Sequence, residues 1–490
     1  MGLRYKTISG VGWSALDNVA YFFVTFLVSV VIARLLTPED FGLLGLTAIF
    51  TTISNTIVNG GFSAALIRKK DVCENDYNTV FFVNLSVSLF IYLILFYLAP
   101  LVANFFGEVV LTDLIRVSSI GIIIGSLSVV QKVRLTRQIN FKDQTKVTLI
   151  SSVVGGVVGI SLALLGFGVW ALVAQSLSNI TTRTIILWFV NKWFPRFVFI
   201  SNCFFDLFGF GWKILIIELI DVLWIELNKV VVGRCYSAST LGQYSQSQNI
   251  NYLFSGNLTA VIQRVTFPVL SSIQNDKDRM VLAYRKIIKV TIFVTSVVLF
   301  FVGSVSEPLL YCLLGPQWHE ASTYLPVLCI CGTIYPLIAV NNNMLQVIGR
   351  GDTLLALTVF HKFLGLIPLA LGAFIGIFPM LYSQFFVLLF TYVLYTVYSG
   401  VHIGYDFRMQ MKDVAPSFCI AIILAFSVYF IKYIPISFWI ILPLQILIGT
   451  IVFIAFSEFI CLEGYQEVKA IIVSYINNYN NKIISNDKHK

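Results

Sequence analysis

Residues 78–103, NTVFFVNLSVSLFIYLILFYLAPLVA, decide the fold of this chain. The stretch contains no Asp, Glu, Lys or Arg, and it exceeds the roughly 20 apolar residues that a helix needs to cross a bilayer. A transmembrane β-strand would instead alternate apolar and polar residues over about 10 positions. The stretch therefore predicts a membrane-spanning α-helix.

The rest of the chain has the same character. Of its 490 residues, 58% are hydrophobic and 12% are charged, and the mean hydropathy is +0.86. Soluble domains are about 25% charged, and disordered chains combine low hydrophobicity with high net charge, so both classes are excluded. We predict an all-α polytopic membrane protein with about fourteen transmembrane helices. The predicted spans are residues 11–33, 42–61, 78–103, 112–133, 146–165, 168–190, 209–232, 241–271, 287–306, 321–348, 354–376, 379–402, 413–431 and 437–460.

Basic residues indicate the orientation of these spans. If the N-terminus is cytoplasmic, 24 of the 33 Lys and Arg residues fall in inside segments, and three fall outside, namely Arg34, Arg234 and Lys432. Cytoplasmic loops of membrane proteins have such an excess of basic residues. We therefore predict a multi-pass protein with both termini in the cytoplasm. The net charge of +9 is explained by these loops rather than by nucleic-acid binding.

An internal repeat divides the spans into two sets. The matched landmarks are Gly10-Val-Gly-Trp13 with Gly209-Phe-Gly-Trp212, and Arg34 and Gly42 with Arg234 and Gly242. Six spans per repeat is an even number, so the two halves have the same orientation and are related by an axis along the membrane normal. The predicted domains are a first six-helix bundle (1–190), a cytoplasmic amphipathic linker (191–208), a second six-helix bundle (209–403), two additional transmembrane helices (404–461) and a cytoplasmic tail (462–490).

The sequence contains no signature of catalysis or metal binding. It has no phosphate-binding G-x-x-x-x-G-K-[ST] loop, no G-x-S-x-G and no H-E-x-x-H. Its eight Cys are scattered, and Cys329 and Cys331 have no nearby His to complete a zinc site. We therefore predict no enzyme activity, no catalytic residue, no metal and no cofactor.

Ionisable residues inside the spans are the candidate site residues. A charge in hydrocarbon is costly, so such residues usually face the interior of the bundle or a wet cavity. Guanidinium groups bind phosphate bidentately, and four basic residues are predicted to line a cationic, substrate-binding cavity: Arg183, Arg264, Lys362 and Arg116. Three acidic residues are predicted to act in ion coupling or gating: Asp17, Glu218 and Asp221. The alternatives are that these acids and bases pair with one another, and that Arg116 reaches the lipid headgroups.

The seventh span, WKILIIELIDVLWIELNKVVVG at residues 212–233, contains the most charges. At about 100° per residue, its acids and Lys229 fall within roughly 160° of one helix face. Glu218 and Asp221 are like charges three residues apart, which would couple their titrations. Glu226 and Lys229 have the spacing of a helical ion pair. The span therefore predicts a helix that turns a polar face to a cavity and an apolar face to lipid or to other helices.

Short motifs at the ends of the spans resemble those of a known family. The motifs are Arg34-Leu-Leu-Thr-Pro-Glu-Asp-Phe-Gly42, Gly60-Gly-Phe-Ser-Ala-Ala-Leu-Ile67, Gly166-Phe-Gly-Val-Trp-Ala171, Leu241-Gly-Gln-Tyr244, Phe267-Pro-Val-Leu-Ser271, Leu314-Gly-Pro-Gln-Trp318 and Gly349-Arg350. As a set they resemble the bacterial polysaccharide flippases, which are the polysaccharide-transporter branch of the multidrug/oligosaccharidyl-lipid/polysaccharide exporter superfamily. The resemblance covers about residues 1–410 and is nearest to lipopolysaccharide, colanic acid and teichuronic acid flippases. Asn228-Lys229 departs from the pattern, because related sequences often have an acidic residue or Tyr there.

This resemblance implies that the chain moves an undecaprenyl-pyrophosphate-linked oligosaccharide across the bacterial inner membrane by alternating access. It implies a lipid-linked oligosaccharide and membrane lipid as partners, together with glycosyltransferases and a polysaccharide polymerase. One alternative is a cation-coupled multidrug exporter of the same fold, which predicts an acid-dominated cavity. Another is a membrane polymerase or ligase, which would usually have a large extracytoplasmic loop, whereas the longest one here, about residues 307–320, is short.

Overall fold

The computed structural model describes residues 23–459, 463–467 and 469–470. Nearly all of these residues are helical, and no β-strand occurs among them. Contacts along the chain divide it into two compact units, Met1–Ser245 and Gln246–Lys490. The prediction of an all-α protein is confirmed.

The first unit contains α1 to α8 and the beginning of α9 within its described residues. The helices are Phe23–Leu35 for the described part of α1, then Pro38–Asn59 (α2), Phe62–Arg68 (α3), Glu74–Phe106 (α4), Leu111–Arg137 (α5), Phe141–Leu164 (α6), Val169–Asn191 (α7), Ser201–Cys235 (α8) and Ala238–Ser272 (α9). Helix α9 continues past Ser245 into the second unit.

The second unit contains the rest of α9 and α10 to α17, with two short 3₁₀ turns. The helices are Lys277–Ser304 (α10), Ser306–Leu313 (α11), His319–Val347 (α12), Gly351–Leu364 (α13), Leu366–Phe374 (α14), Ile377–Ile403 (α15), Phe407–Tyr429 (α16) and Phe438–Phe459 (α17). The 3₁₀ turns are Pro316–Trp318 and Phe430–Tyr433.

Ten helical stretches in the described part of the chain are long and apolar enough to cross a membrane. They are Pro38–Arg68, Glu74–Phe106, Leu111–Arg137, Phe141–Leu164, Lys277–Ser304, Pro316–Val347, Gly351–Phe374, Ile377–Ile403, Phe407–Tyr433 and Phe438–Glu458. A bilayer contains no water to satisfy backbone groups, so helices with all their hydrogen bonds internal are the stable form for such segments. The chain is a multi-pass membrane protein.

The first of these stretches begins with a strong capping signal. The Thr37 hydroxyl accepts a hydrogen bond from the backbone N–H of Asp40 at 3.3 Å, and the Asp40 carboxylate accepts one from the backbone N–H of Thr37 at 2.9 Å. Pro38 occupies the first helical position, where its missing N–H has no partner to lose. This capping box explains why α2 starts at Pro38.

The beginnings of α2 and α9 meet through two glycines. A Cβ atom on Gly42 would lie 1.7 Å from the carbonyl oxygen of Ala238. A Cβ atom on Gly242 would lie 1.8 Å from the carbonyl oxygen of Pro38, so the contact is reciprocal. These distances are far below van der Waals contact, and only glycine fits at either position. The two residues are one of the pairs that the predicted sequence repeat matches.

Residues 192–200 connect α7 to α8 and lie against the first turns of α4. Trp193 is buried, and its indole Nε1 donates to the Glu74 carboxylate at 2.6 Å. Phe197, on the same segment, is 93% exposed. The connection therefore has one buried and one exposed side. The last part of the predicted linker, from Ser201 onward, is already helical and belongs to α8.

Buried hydrogen bonds join four helices in the core of the second unit. The Tyr284 hydroxyl on α10 donates to Asn341 Oδ1 on α12 at 2.7 Å. On α16, Gln410 Oε1 accepts from the hydroxyls of Tyr392 at 2.8 Å and Thr396 at 2.7 Å, both on α15. Buried polar groups require such partners, and a connected network fixes the relative positions of the helices that provide them.

Candidate functional site

A cavity of about 460 Å³ lies among α2, α3, α5, α7 and α8 of the first unit. Its size is within the usual range for ligand pockets, roughly 300–1,000 Å³. Its polar lining residues are Asn55, Asn59, Ser63, Ser126, Ser128, Lys132, Thr136, Arg183 and Glu218. A polar lining of this kind inside a membrane protein indicates a water-accessible chamber.

Helix α5 forms one wall because small and polar residues recur along it at helical spacing. The lining positions on this face include Gly121, Gly125, Ser128 and Lys132. Intervals of three and four residues bring side chains to one face of a helix. A Cβ atom on Gly125 would come no nearer than 4.0 Å to Asn55 Oδ1 on α2, so the glycine leaves space between the two helices.

Three charged side chains come from three different helices. Lys132 on α5 and Glu218 on α8 are exposed, and Arg183 on α7 is half-buried. Among the described residues, none of the three forms a salt bridge. Two cations and one carboxylate give this lining a net charge of +1. Walls of low dielectric strengthen the attraction between such groups and an anion, so the chamber suits an anionic ligand.

The structure brings together two of the residues chosen from the sequence, Arg183 and Glu218. The sequence predicts different roles for them, and both line the same chamber. Asp221 lies one turn further along α8 and is exposed. Asp17 lies outside the described residues. The roles of these residues remain predictions.

The other basic candidates lie elsewhere. Arg116 on α5 donates from Nε to the Phe96 carbonyl oxygen on α4 at 3.3 Å, and its guanidinium carbon is 4.3 Å from the centre of the Phe96 ring. Its side chain thus joins α4 to α5. Arg264 is exposed on α9, and Lys362 is half-buried on α13, both in the second unit.

Lys132 also lines the chamber and is not among the site residues predicted from the sequence. It stands at the end of the predicted span 112–133, where a basic residue is expected to face the cytoplasm. The available signal was its position on the same face of α5 as Ser128 and Gly125.

The charges of α8 have different partners. Glu226 and Lys229 form a salt bridge of 3.0 Å, and the Glu226 side chain is only 6% exposed. The prediction that these two residues pair is confirmed. Glu218, two turns earlier on the helix, lines the chamber instead.

Comparisons with known proteins agree on polysaccharide biosynthesis. Residues 31–323 match the family model described as "Polysaccharide biosynthesis protein". The chain is 27% identical over 350 residues to the succinoglycan biosynthesis transport protein ExoT of Rhizobium meliloti (strain 1021), covering 71% of each chain. It is 24% identical over 350 residues to the teichuronic acid biosynthesis protein TuaB of Bacillus subtilis (strain 168), covering 71% of this chain and 72% of that one.

The fold also matches a solved structure of lipid II flippase MurJ in its inward closed conformation. The TM-score is 0.72, and the match covers 93% of this chain and 99% of that one. Sequence identity between the two is 15%, so the likeness concerns the fold. The chain thus has the helical architecture of that structure.

Proposed function

The chain belongs to the family of polysaccharide biosynthesis proteins, and we propose that it moves an undecaprenyl-pyrophosphate-linked oligosaccharide from the inner to the outer leaflet of the bacterial inner membrane. The observation behind this proposal is the cationic chamber of the first unit, lined by Lys132 and Arg183. No covalent step is needed, since the lipid-linked sugar only changes leaflet. Glycosyltransferases supply the substrate, and a polymerase receives it.

Lys132 and Arg183 bind the pyrophosphate in this proposal. A guanidinium group binds phosphate bidentately, and an ammonium group acts as a point charge beside it. Amide and hydroxyl groups of Asn55, Asn59 and Ser63 are available on the opposite walls to hydrogen-bond sugar hydroxyls. The polyprenyl chain is apolar and stays in the lipid. Rocking between inward-open and outward-open states then exposes the headgroup to either side.

Glu218 acts in ion coupling or gating, together with Asp17 and Asp221. Its carboxylate shares the chamber with Lys132 and Arg183, so it offsets part of their charge when no substrate is bound. An entering pyrophosphate has the same sign as this carboxylate. Substrate binding therefore favours movement of the Glu218 side chain away from the ligand. Arg264, Lys362 and Arg116 are proposed as further cationic contacts along the path.

The proposed architecture has fourteen spans, two six-helix bundles related by a pseudo-repeat and both termini in the cytoplasm. Ten stretches satisfy the length and hydropathy of a span. Four more helices, α1, α7, α8 and α9, coincide with the first, sixth, seventh and eighth predicted spans. The reciprocal approach of Gly42 and Gly242 supports the repeat, since equivalent residues of the two halves make equivalent contacts.

A multidrug-type exporter is less compatible with the chamber. Such a transporter needs a surplus of acidic side chains to hold a cationic drug, whereas the charged lining here has two cations and one acid. Export of a cationic dye without movement of the lipid-linked sugar would favour that alternative.

Transport by purified protein in proteoliposomes tests the proposal. The measured quantity is how fast a labelled undecaprenyl-pyrophosphate-linked oligosaccharide becomes accessible to a membrane-impermeant reagent in the opposite leaflet. A hydrogen bond to a charged group contributes roughly 1.5–3 kcal/mol, so Arg183→Ala and Lys132→Ala should each weaken apparent substrate affinity about 10- to 100-fold. Arg183→Lys should retain part of the activity because it keeps the charge.

The matched control is Arg279→Ala. Arg279 is a basic residue whose side chain is 78% exposed and which pairs only with Asp276 at the start of α10, among the described residues. Its removal should leave transport unchanged. Parental transport by the double variant Arg183→Ala/Lys132→Ala would contradict the assigned site.

A further inference from the structure

Two cysteines and two aspartates that are distant in sequence meet on one side of the first unit. Cys73 caps the N-terminus of α4, and Cys203 lies in the first turn of α8. Each is followed three residues later by an aspartate, Asp76 and Asp206. The sulfurs of Cys73 and Cys203 and a carboxylate oxygen of Asp76 all lie within 4.8 Å of one another. Three metal-ligating atoms thus converge on one point.

The two carboxylate oxygens of Asp76 have different hydrogen-bond partners. Its Oδ1 accepts a hydrogen bond from Lys69 Nζ at 3.0 Å. Its Oδ2 accepts from the backbone N–H of Cys73 at 3.0 Å and lies 3.4 Å from Cys73 Sγ. The side chain is completely buried. Oδ2 therefore lies beside the thiols, while Oδ1 is held by the Lys69 ammonium. Outer-shell partners orient metal-binding carboxylates in this way.

Lys69 bridges the two aspartates. Besides Asp76, its ammonium contacts the Asp206 carboxylate at 2.9 Å. Both contacts are salt bridges, so the Lys69 ammonium lies between two carboxylates. The cluster then has a charge of −1 when both thiols are protonated. When a divalent cation binds, the two thiols release their protons. Two positive charges leave and two arrive, so the charge of the cluster stays at −1.

We propose that Cys73, Cys203 and Asp76 bind a Zn²⁺ ion with a water molecule as the fourth ligand, and that Lys69 and Asp206 form the outer-shell ion pair beside them. Zinc prefers four ligands in tetrahedral geometry, and thiolate ligands select it over Mg²⁺ and Ca²⁺. The ion links the loop between α3 and α4 to the beginning of α8. The site is separate from the chamber and does not depend on the proposed transport. No short sequence motif reveals it, because its two Cys-x-x-Asp pairs belong to different helices.

Zinc binding by the purified full-length chain in detergent tests this proposal. The parent protein should retain one equivalent of Zn²⁺ after desalting, measured by plasma mass spectrometry. X-ray absorption should find two sulfur neighbours at about 2.3 Å and oxygen neighbours at about 2.0–2.2 Å. Loss of an outer-shell partner costs roughly 10- to 100-fold in affinity, so Cys73→Ala or Cys203→Ala should weaken binding by at least about 100-fold.

Cys235→Ala and Cys419→Ala are the matched controls. Both remove an exposed cysteine from another part of the chain, and both should leave zinc binding unchanged. Thermal unfolding without zinc checks that each variant folds. Co²⁺ offers a second readout, since thiolate charge-transfer absorption should appear in the parent and be lost in Cys73→Ala/Cys203→Ala.

Three results would overturn the proposal. The first is a parent protein that retains no stoichiometric zinc. The second is bound zinc without sulfur neighbours, or zinc retained in full by Cys73→Ala/Cys203→Ala. The third is a Cys73–Cys203 disulfide that persists in the presence of a thiol reductant, because a disulfide would consume both sulfur ligands.

Discussion

Three side chains, Lys132, Arg183 and Glu218, give the chamber of the first unit its chemical character. They come from three helices, and each lines the same space without an ion pair among the described residues. The two cations suit the proposed pyrophosphate ligand, which has more negative charge than a single cation can offset. In the proposed mechanism, Glu218 repels that ligand and weakens its binding when the headgroup leaves.

Glu218→Gln tests this opposing role. Removing a carboxylate that shares the chamber with the ligand should strengthen binding of undecaprenyl pyrophosphate about tenfold, since like charges about 8–12 Å apart repel by on the order of 1–2 kcal/mol at an effective dielectric constant of 20. The transport rate should fall, because release becomes slower. Ligand-induced fluorescence changes measure the affinity, and the proteoliposome assay measures the rate.

The control for this variant is Glu320→Gln, which neutralises an exposed acid at the start of α12. It should change neither quantity. Weaker binding by Glu218→Gln would mean that the carboxylate assists the substrate and would refute the assigned role.

Among the glycines of the described residues, those at the contact between α2 and α9 come nearest to another helix's backbone. The two glycines involved, Gly42 and Gly242, each face a carbonyl oxygen of the other helix's first turn. The capping box of α2 fixes the position of Pro38 and thereby the carbonyl that approaches Gly242. The contact therefore depends both on the capping box, which is local in sequence, and on the packing of the two helices.

Gly42→Ala should destabilise the protein. The new methyl group would lie 1.7 Å from a backbone carbonyl, which cannot rotate away, so α2 and α9 must separate. Overpacking of this kind typically costs about 1–3 kcal/mol, and the thermal unfolding midpoint should fall by several degrees. The matched control is Gly45→Ala on the same helix, where the nearest atom would be 3.7 Å away. Equal midpoints for the two variants would show that the close approach does not exist in solution.

For the molecule as a whole, the proposed membrane topology places two native cysteines on opposite sides of the bilayer. Two exposed native cysteines lie at opposite ends of helices that are predicted to span the membrane in full. Cys73 precedes α4, and Cys235 ends α8. The proposed topology, with both chain termini in the cytoplasm, predicts that Cys73 faces inward and that Cys235 faces outward.

Single-cysteine variants and a membrane-impermeant maleimide test this topology. Cys235 should react in intact cells, and Cys73 should react only after the membrane is opened. A zinc chelator in the labelling buffer keeps Cys73 available in case the metal site is loaded. Reaction of Cys73 in intact cells would invert the proposed orientation.

The sequence by itself determined the class of protein, the helical fold and the family. Long apolar runs such as 78–103 fix membrane insertion, because the transfer of a segment into lipid depends on its own composition. The basic loops gave the predicted orientation for the same local reason. The helical pairing of Glu226 with Lys229 also followed from spacing alone.

The tertiary structure decided which distant side chains share a site. Arg183 and Glu218 were candidates among several charged residues, and the packing of α5, α7 and α8 selected them and added Lys132. The same holds for Cys73 and Cys203, which no local pattern connects. Contacts between helices depend on side-chain packing across the whole bundle, and spacing within one helix contains no information about which neighbour its polar face will meet.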